Sequence, residues 1–188
     1  KADAMAALAA CGIAADQLMV SAGNAGAASW YHPGRSGTLS LGPKPVLAQF
    51  GEVHPAVLAA FDLKGPLVAC EVFLDRLPPA KAKANKSRPL LAASDLPAVE
   101  RDFAFVVDSN VAADALVRAA RMADRVHVAY VGVFDLFEGQ ALGPGKKSLA
   151  LSVRLQPKDK TFTEAEVAAI GAKIVAAVTK ATGGALRG

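Results

Sequence analysis

The sequence predicts an α+β chain whose second half runs in the order βαββαβ, and three observations carry that prediction. In KKSLALSVRL, Leu149, Leu151, Val153 and Leu155 alternate with Ser148, Ala150, Ser152 and Arg154, the two-residue period of a strand with one buried and one wet face. Thr163 with Glu166 three residues on is a capping box, and Val167, Ile170, Ile174 and Val178 form the apolar stripe of the helix that follows. In RDFAFVVD, Phe103, Phe105 and Val107 alternate with Asp102, Ala104 and Val106, so a second strand has one strongly apolar face.

The remaining elements fall around these. Residues 1–78 open with an Ala/Leu helix that stops at Gly12, followed by the short apolar runs QLMVSAG, GTLSLG, PVLAQFGEV and PLVACEVFL, each punctuated by Gly or Pro. Such runs read as antiparallel strands and turns, with a short helix at Pro55 to Ala60 after His54. These are few elements for a self-sufficient core, and Lys1 lies inside a periodic segment, so the chain is expected to be part of something longer. Residues 79–93 hold the cluster KAKANKSRP, with Lys81, Lys83, Lys86 and Arg88 bracketed by Pro78-Pro79 and Pro89 and almost no large apolar side chain, the composition of an extended linker. A phosphate-tracking strap is the alternative reading of its cations. Residues 94–188 then give a strand at Arg101 to Val107, a helix at Val111 to Ala123, and a long β-rich run from Arg125 to Phe137. A turn at Glu138 to Pro144, the strand from Lys147 to Leu155, the capped helix ending at Gly183-Gly184 and a short last strand complete the series. This is the split βαβ order of ferredoxin-like folds: a four-stranded antiparallel sheet with two helices on one face.

Composition bounds the function classes. At 53% hydrophobic and 20% charged residues the chain is far from the disordered regime, and no run approaches the roughly 18 apolar residues of a membrane span. The opening Ala-rich stretch carries Asp3 and lacks an apolar h-region, so no targeting segment and a cytoplasmic location are expected. Cys11 and Cys70 lie far apart in apolar sequence, which predicts buried thiols rather than a disulfide or zinc site. The net charge of +4 is spread as +3 over residues 1–93 and +1 over residues 94–188, so neither half is a strongly basic nucleic-acid magnet.

The RDFAFVVD strand shares Arg101, Phe103, Ala104, Phe105 and Val106 with the base-stacking signature of RRM domains. That signature belongs on the third strand, which here has no aromatic, and Asp102 and Asp108 stand where it needs Gly and an aromatic. A different family fits. LPAVERDFAFVVD, FDLFEG at Phe134 to Gly139, GKKSLALSVRLQPKDKTFTEAEV from Gly145 to Val167 and the terminal Leu186-Arg187 closely resemble the ferredoxin-fold anticodon-binding domain of bacterial phenylalanyl-tRNA synthetase β subunits. Upstream, YHPGRSGTLSLGPKPVLAQFGEVHP, FDL at Phe61 to Leu63 and ACEVFLDRL at Ala69 to Leu77 look like the end of the catalytic-like module of the same subunits. That makes the first half a partial antiparallel α+β synthetase-like module.

The resemblance implies anticodon-region binding of phenylalanine tRNA, a scaffolding first half, and an α subunit as partner in an (αβ)2 heterotetramer. It also implies that ATP and magnesium are used elsewhere in the whole enzyme, that no cofactor is held here, and that this stretch has no catalytic site. Two helices on one side of the sheet leave the other side open, and parity places Ala104, Ser148, Ala150, Ser152 and Arg154 there, with Asp135 and Phe137 from the second strand. Phe137 is then a candidate stacking platform. Arg154 is a candidate phosphate or base-edge contact, and Lys146, Lys147, Lys158 and Lys160 in flanking loops are candidate phosphate contacts. A protein-interaction module without direct RNA binding is the alternative.

The first half also offers residue types that suggest chemistry. GTLSLGPK mimics part of a phosphate loop, but Pro43 replaces the required Lys and removes an N–H, which favours a hairpin. His32 and His54 lack partners in metal-ligand spacing and read as turn residues. Glu52 with His54 has no nucleophile beside it, and Arg35 is expected to make a structural or interface ion pair.

Overall fold

A computed structural model describes residues 1–23, 26–43, 45–79 and 93–187. The basic linker with Lys81, Lys83, Lys86 and Arg88, and Lys44 of the phosphate-loop mimic, lie outside the described residues. The chain forms two compact units, Lys1–Arg88 and Pro89–Gly188.

In the first unit, α1 (Ala2–Ala10) precedes an antiparallel sheet of β1 (Leu18–Ala22), β2 (Tyr31–Leu41), β3 (Val46–Val53) and β4 (Val68–Val72), in that spatial order, with α2 (Pro55–Ala60) between β3 and β4. Ala4 and Leu8 of α1 pack with Ile13, Leu18, Leu39, Leu47 and Ala48 into a small core. GTLSLG is a hairpin: Gly42 turns it at φ +65°, and Ser40 Oγ donates to the Gly42 carbonyl at 2.9 Å. The sheet also carries a polar network that runs from buried Gln49 to exposed Glu71. Gln49 accepts the Ala28 N–H at 2.9 Å and donates to Glu71. Burial first, and the Glu71 carboxylate second, push the Tyr31 phenol up to about 12. His54 caps α2, its Nδ1 accepting the Ala56 N–H at 3.1 Å, and is a turn residue as expected; His32 instead lies within β2, where its Nδ1 accepts the Gly34 N–H at 3.1 Å. Glu52 is engaged by Arg35 at 2.6 Å.

The cysteines correct the expectation of burial: both thiols are free and exposed. Cys11 caps α1, and Cys70 lies on β4, a sheet edge whose residues Val68 to Glu71 are all exposed. Apolar neighbours in sequence do not bury a residue on an edge strand beyond which, among the described residues, no further strand lies.

The second unit comprises β5 (Val99–Asp108), α3 (Ala113–Ala123), β6 (Val128–Phe137), β7 (Lys146–Leu155), α4 (Glu164–Thr182) and β8 (Ala185–Leu186). Its antiparallel sheet has the order β6-β7-β5-β8, the ferredoxin-like arrangement. Phe105, Val107, Leu151, Val153 and Leu155 meet Leu116 and Ala120 of α3 and Val167, Ile170, Ile174 and Val178 of α4 in one core, each large side chain contributing about 1.5–3 kcal/mol of burial. Phe103 packs against this core, so the RRM-like phenylalanines lie under the helices. The capping box is formed in both directions between Thr163 and Glu166, and Gly183 ends α4 in the left-handed conformation. Asp124, between α3 and β6, gathers the His127 N–H and ring at 3.1 Å and Lys173 of α4 at 3.3 Å. Burial alone would raise its carboxyl, but the His127 hydrogen bonds and Lys173 outweigh that and hold it below the usual aspartate range. Among the described residues no helix is long and apolar enough to cross a membrane.

Candidate nucleic-acid interface

The open face of the second sheet can be read row by row from its register. Phe137, Ser148, Val106 and Ala185 form one row, and Asp135, Ala150 and Ala104 the next, where the Arg187 N–H donates to the Ala104 carbonyl at 2.7 Å. Gly132, Ser152 and Asp102 follow, and then Tyr130, Arg154 and Glu100. Two bulges in β6 make this pattern. One lies between Val128 and Tyr130 and the other between Val133 and Asp135, so that Val131 and Val133 pair with core-side Val153 and Leu151 while Tyr130, Gly132, Asp135 and Phe137 share the open side.

Arg187 is the group that sequence parity overlooks. It sits beside β5 at the β8 edge, yet its guanidinium reaches within 5.6 Å of the Phe137 ring centroid on β6. The two side chains therefore span β5 and β7 between them, and form a cation–π pair on the open face. Ser148, in register between Val106 and Phe137, is only 4% exposed; it belongs to the floor of this site. Ala104, Ala150 and Ser152 are half-buried, and Asp102, Asp135 and Arg154 are exposed.

The lysines are arranged differently from a ring of free cations in loops. Lys146 and Lys147 are the first residues of β7. Lys146 pairs with Asp108 at 2.6 Å; Lys147 pairs in register with core-side Val107 and donates to the Ser109 carbonyl at 2.7 Å. Lys160 meets Glu166 at 3.0 Å. The Thr163 N–H first, then Lys160 and the Thr163 hydroxyl, hold the Glu166 carboxyl down at about 2. Lys158 is exposed beyond the Arg154 end of β7. The Arg187 position was legible only as a terminal Leu-Arg, and Tyr130 only as an aromatic in a strand apolar on both faces.

Comparison with known proteins agrees with this geometry. The ferredoxin-fold anticodon binding domain matches residues 94–187, and the phenylalanyl tRNA synthetase beta chain CLM domain matches residues 1–74. The phenylalanine–tRNA ligase beta subunit of Paramagnetospirillum magneticum is 59% identical over all 188 residues, and those of Mesorhizobium japonicum and Rhodospirillum rubrum are each 52% identical, over 188 and 187 residues. In each case the match takes in 100% of this chain and 23% of the relative, so the chain spans about a quarter of the length of these curated relatives. With both segments matched in order and the four-stranded sheet in place, the chain belongs to the ferredoxin-fold anticodon binding domain family, as part of the phenylalanine–tRNA ligase beta-subunit lineage.

Proposed function

We propose that the second unit binds the anticodon region of phenylalanine tRNA across its open sheet face, as a non-catalytic portion of a phenylalanine–tRNA ligase β subunit. The observation that carries this reading is the Phe137–Arg187 pair above a floor of small side chains. A base stacked on Phe137 gains an aromatic plane, and Arg187 beside it supplies a cation for phosphate or a base edge. Asp135, in the adjacent row, offers acceptor oxygens to an exocyclic amine. Arg154 and Lys158 extend the positive rim at the far end of β7. The pairs of Lys146 and Lys160 are exposed and can be exchanged for phosphate at little cost.

The first unit serves as scaffold in an (αβ)2 assembly in the cytoplasm, offering the exposed Phe61, Leu63, Val68 and Leu74 to its partner. ATP and magnesium act in other parts of the enzyme, and this chain holds no cofactor. A second reading, a protein-docking module, draws on Val133, Phe134 and Leu136, which are exposed along the β6 edge. Titrating a labelled phenylalanine anticodon stem-loop and one of altered anticodon across salt separates the two. The proposal expects saturable, salt-sensitive binding that prefers the cognate loop and weakens in Phe137→Ala and Arg154→Ala. Equal affinity for both loops, or no binding at low salt, would refute anticodon reading by this chain.

A further inference from the structure

The open face carries a second aromatic plane, well away from Phe137. Tyr130 is 57% exposed and pairs in register with Arg154, whereas Phe137 pairs with Ser148. Six residues of β7 separate those rows, about 20 Å along the strand. At the ~3.4 Å rise of stacked nucleotides that is about six of them, and fewer when they are splayed. One nucleotide therefore cannot use both rings.

The Tyr130 ring is seated by a glycine. A Cβ added at Gly132 would fall 2.5 Å from the Tyr130 hydroxyl oxygen and 2.9 Å from Cε1 and Cζ, so the ring lies over the backbone of Gly132 in the space any side chain there would fill. Gly139 seats Phe137 in the same way, with Cζ at 2.7 Å from such a Cβ. The two exposed rings of the open face thus share one device, a glycine that lets the ring lie against the chain and turn its outer plane to solvent. The groups around Tyr130 are polarised across the sheet. Arg154 stands beside it on β7, with Ser152 in the next row, while the acidic Glu100 and Asp102 lie beyond on β5. A phosphate is attracted over β6 and β7 and repelled from β5, which favours a base on the ring and its phosphate at Arg154.

Resting on the anticodon-binding reading, we infer that Tyr130, Gly132 and Arg154 form a second ribonucleotide site, which stacks a single-stranded base flanking the triplet held at Phe137. The site adds affinity without reading the triplet. Tyr130→Ala therefore weakens binding of the cognate and altered-anticodon stem-loops by the same factor, about 5- to 150-fold, the effect of losing one base–aromatic stack. Tyr130→Phe binds as the parent chain does, and Gly132→Ala, whose methyl takes the space in which the ring lies, weakens both loops as Tyr130→Ala does. Phe137→Ala reports the first site alone and erodes the preference for the cognate loop. If Phe137→Ala weakens binding while Tyr130→Ala leaves it unchanged, the second site is refuted and the anticodon reading stands. If Tyr130→Phe is as weak as Tyr130→Ala, the hydroxyl and not the plane is used, and the stacking role is refuted. If neither alanine variant changes the affinity, or the 188-residue chain binds no stem-loop, both readings fall together.

Discussion

Gly184 holds the open sheet face in shape from inside the fold, and replacing it with alanine should damage both stability and binding. Gly184 is buried at the junction of α4 and β8. An added Cβ would sit 2.6 Å from Val107 Cγ1, 3.0 Å from Thr182 Oγ1 and 3.2 Å from the Val106 carbonyl oxygen. None of these neighbours is a free side-chain end: Val107 is 1% exposed in the core, Thr182 Oγ1 donates to the Val178 carbonyl, and the third is backbone. The methyl is accommodated only by moving β8 away from β5, an overpacking cost of about 1–3 kcal/mol. For a domain of this size each kcal/mol lowers the melting temperature by about 4–8 °C. The displaced strand leads directly into Arg187, so the Arg187 amide, bonded to the Ala104 carbonyl, should exchange faster with deuterium, and stem-loop affinity should fall although residue 184 is buried. Gly183→Ala is the control. Its φ of +68° costs alanine about 1 kcal/mol in backbone strain, but nothing lies within 4 Å of the new Cβ, and β8 stays docked. Parent-like melting and unchanged Arg187 exchange in Gly184→Ala would refute the packing account.

Phe105→Ala should cost about 3–5 kcal/mol in chemical denaturation, since Phe105 is fully buried at the centre of the sheet. Thr163→Ala removes the hydroxyl that caps the Glu166 N–H and should cost about 1 kcal/mol. The Glu166 carboxyl, lowered from 4.5 to about 2 in the fold, contributes stability that is fully present above its unfolded value and lost as pH falls from 4.5 through about 2. Urea midpoints across that range should therefore show a decline in the parent that Glu166→Gln lacks. Lys158→Ala should shallow the slope of log affinity against log salt by about 0.7 if Lys158 takes one phosphate of a single strand. Lys147→Ala should leave the slope unchanged, because its ammonium is turned toward the Ser109 carbonyl.

Much of the second unit was legible in the sequence because its signals are local and agree with one another. The β7 alternation holds for its apolar face, where Leu149, Leu151, Val153 and Leu155 are all buried, and Arg154 is exposed between them, but Ser148 on the other face is buried as well. The Thr163–Glu166 box works over three residues and forms as read. Strand β6 was not legible in the same way. It is apolar on both faces as an edge strand, and it carries two bulges; the one between Val133 and Asp135 shifts parity once between Tyr130 and Phe137, so these residues, an odd number apart, end on one side of the sheet. Cys70 shows the same limit, since its exposure depends on whether another strand lies beyond β4.

What the sequence determined by itself is the order of elements, the buried face of each strand with clean alternation, and the caps of α4, because these follow from backbone geometry and side-chain type within a few residues. Tertiary structure alone decided which side chains meet. Arg187 reaches Phe137 across two intervening strands, Gly132 lies beneath Tyr130, and Lys146 is tied to Asp108, 38 residues away in sequence. Strand order and bulges bring such groups together, and both are set by how the core packs as a whole.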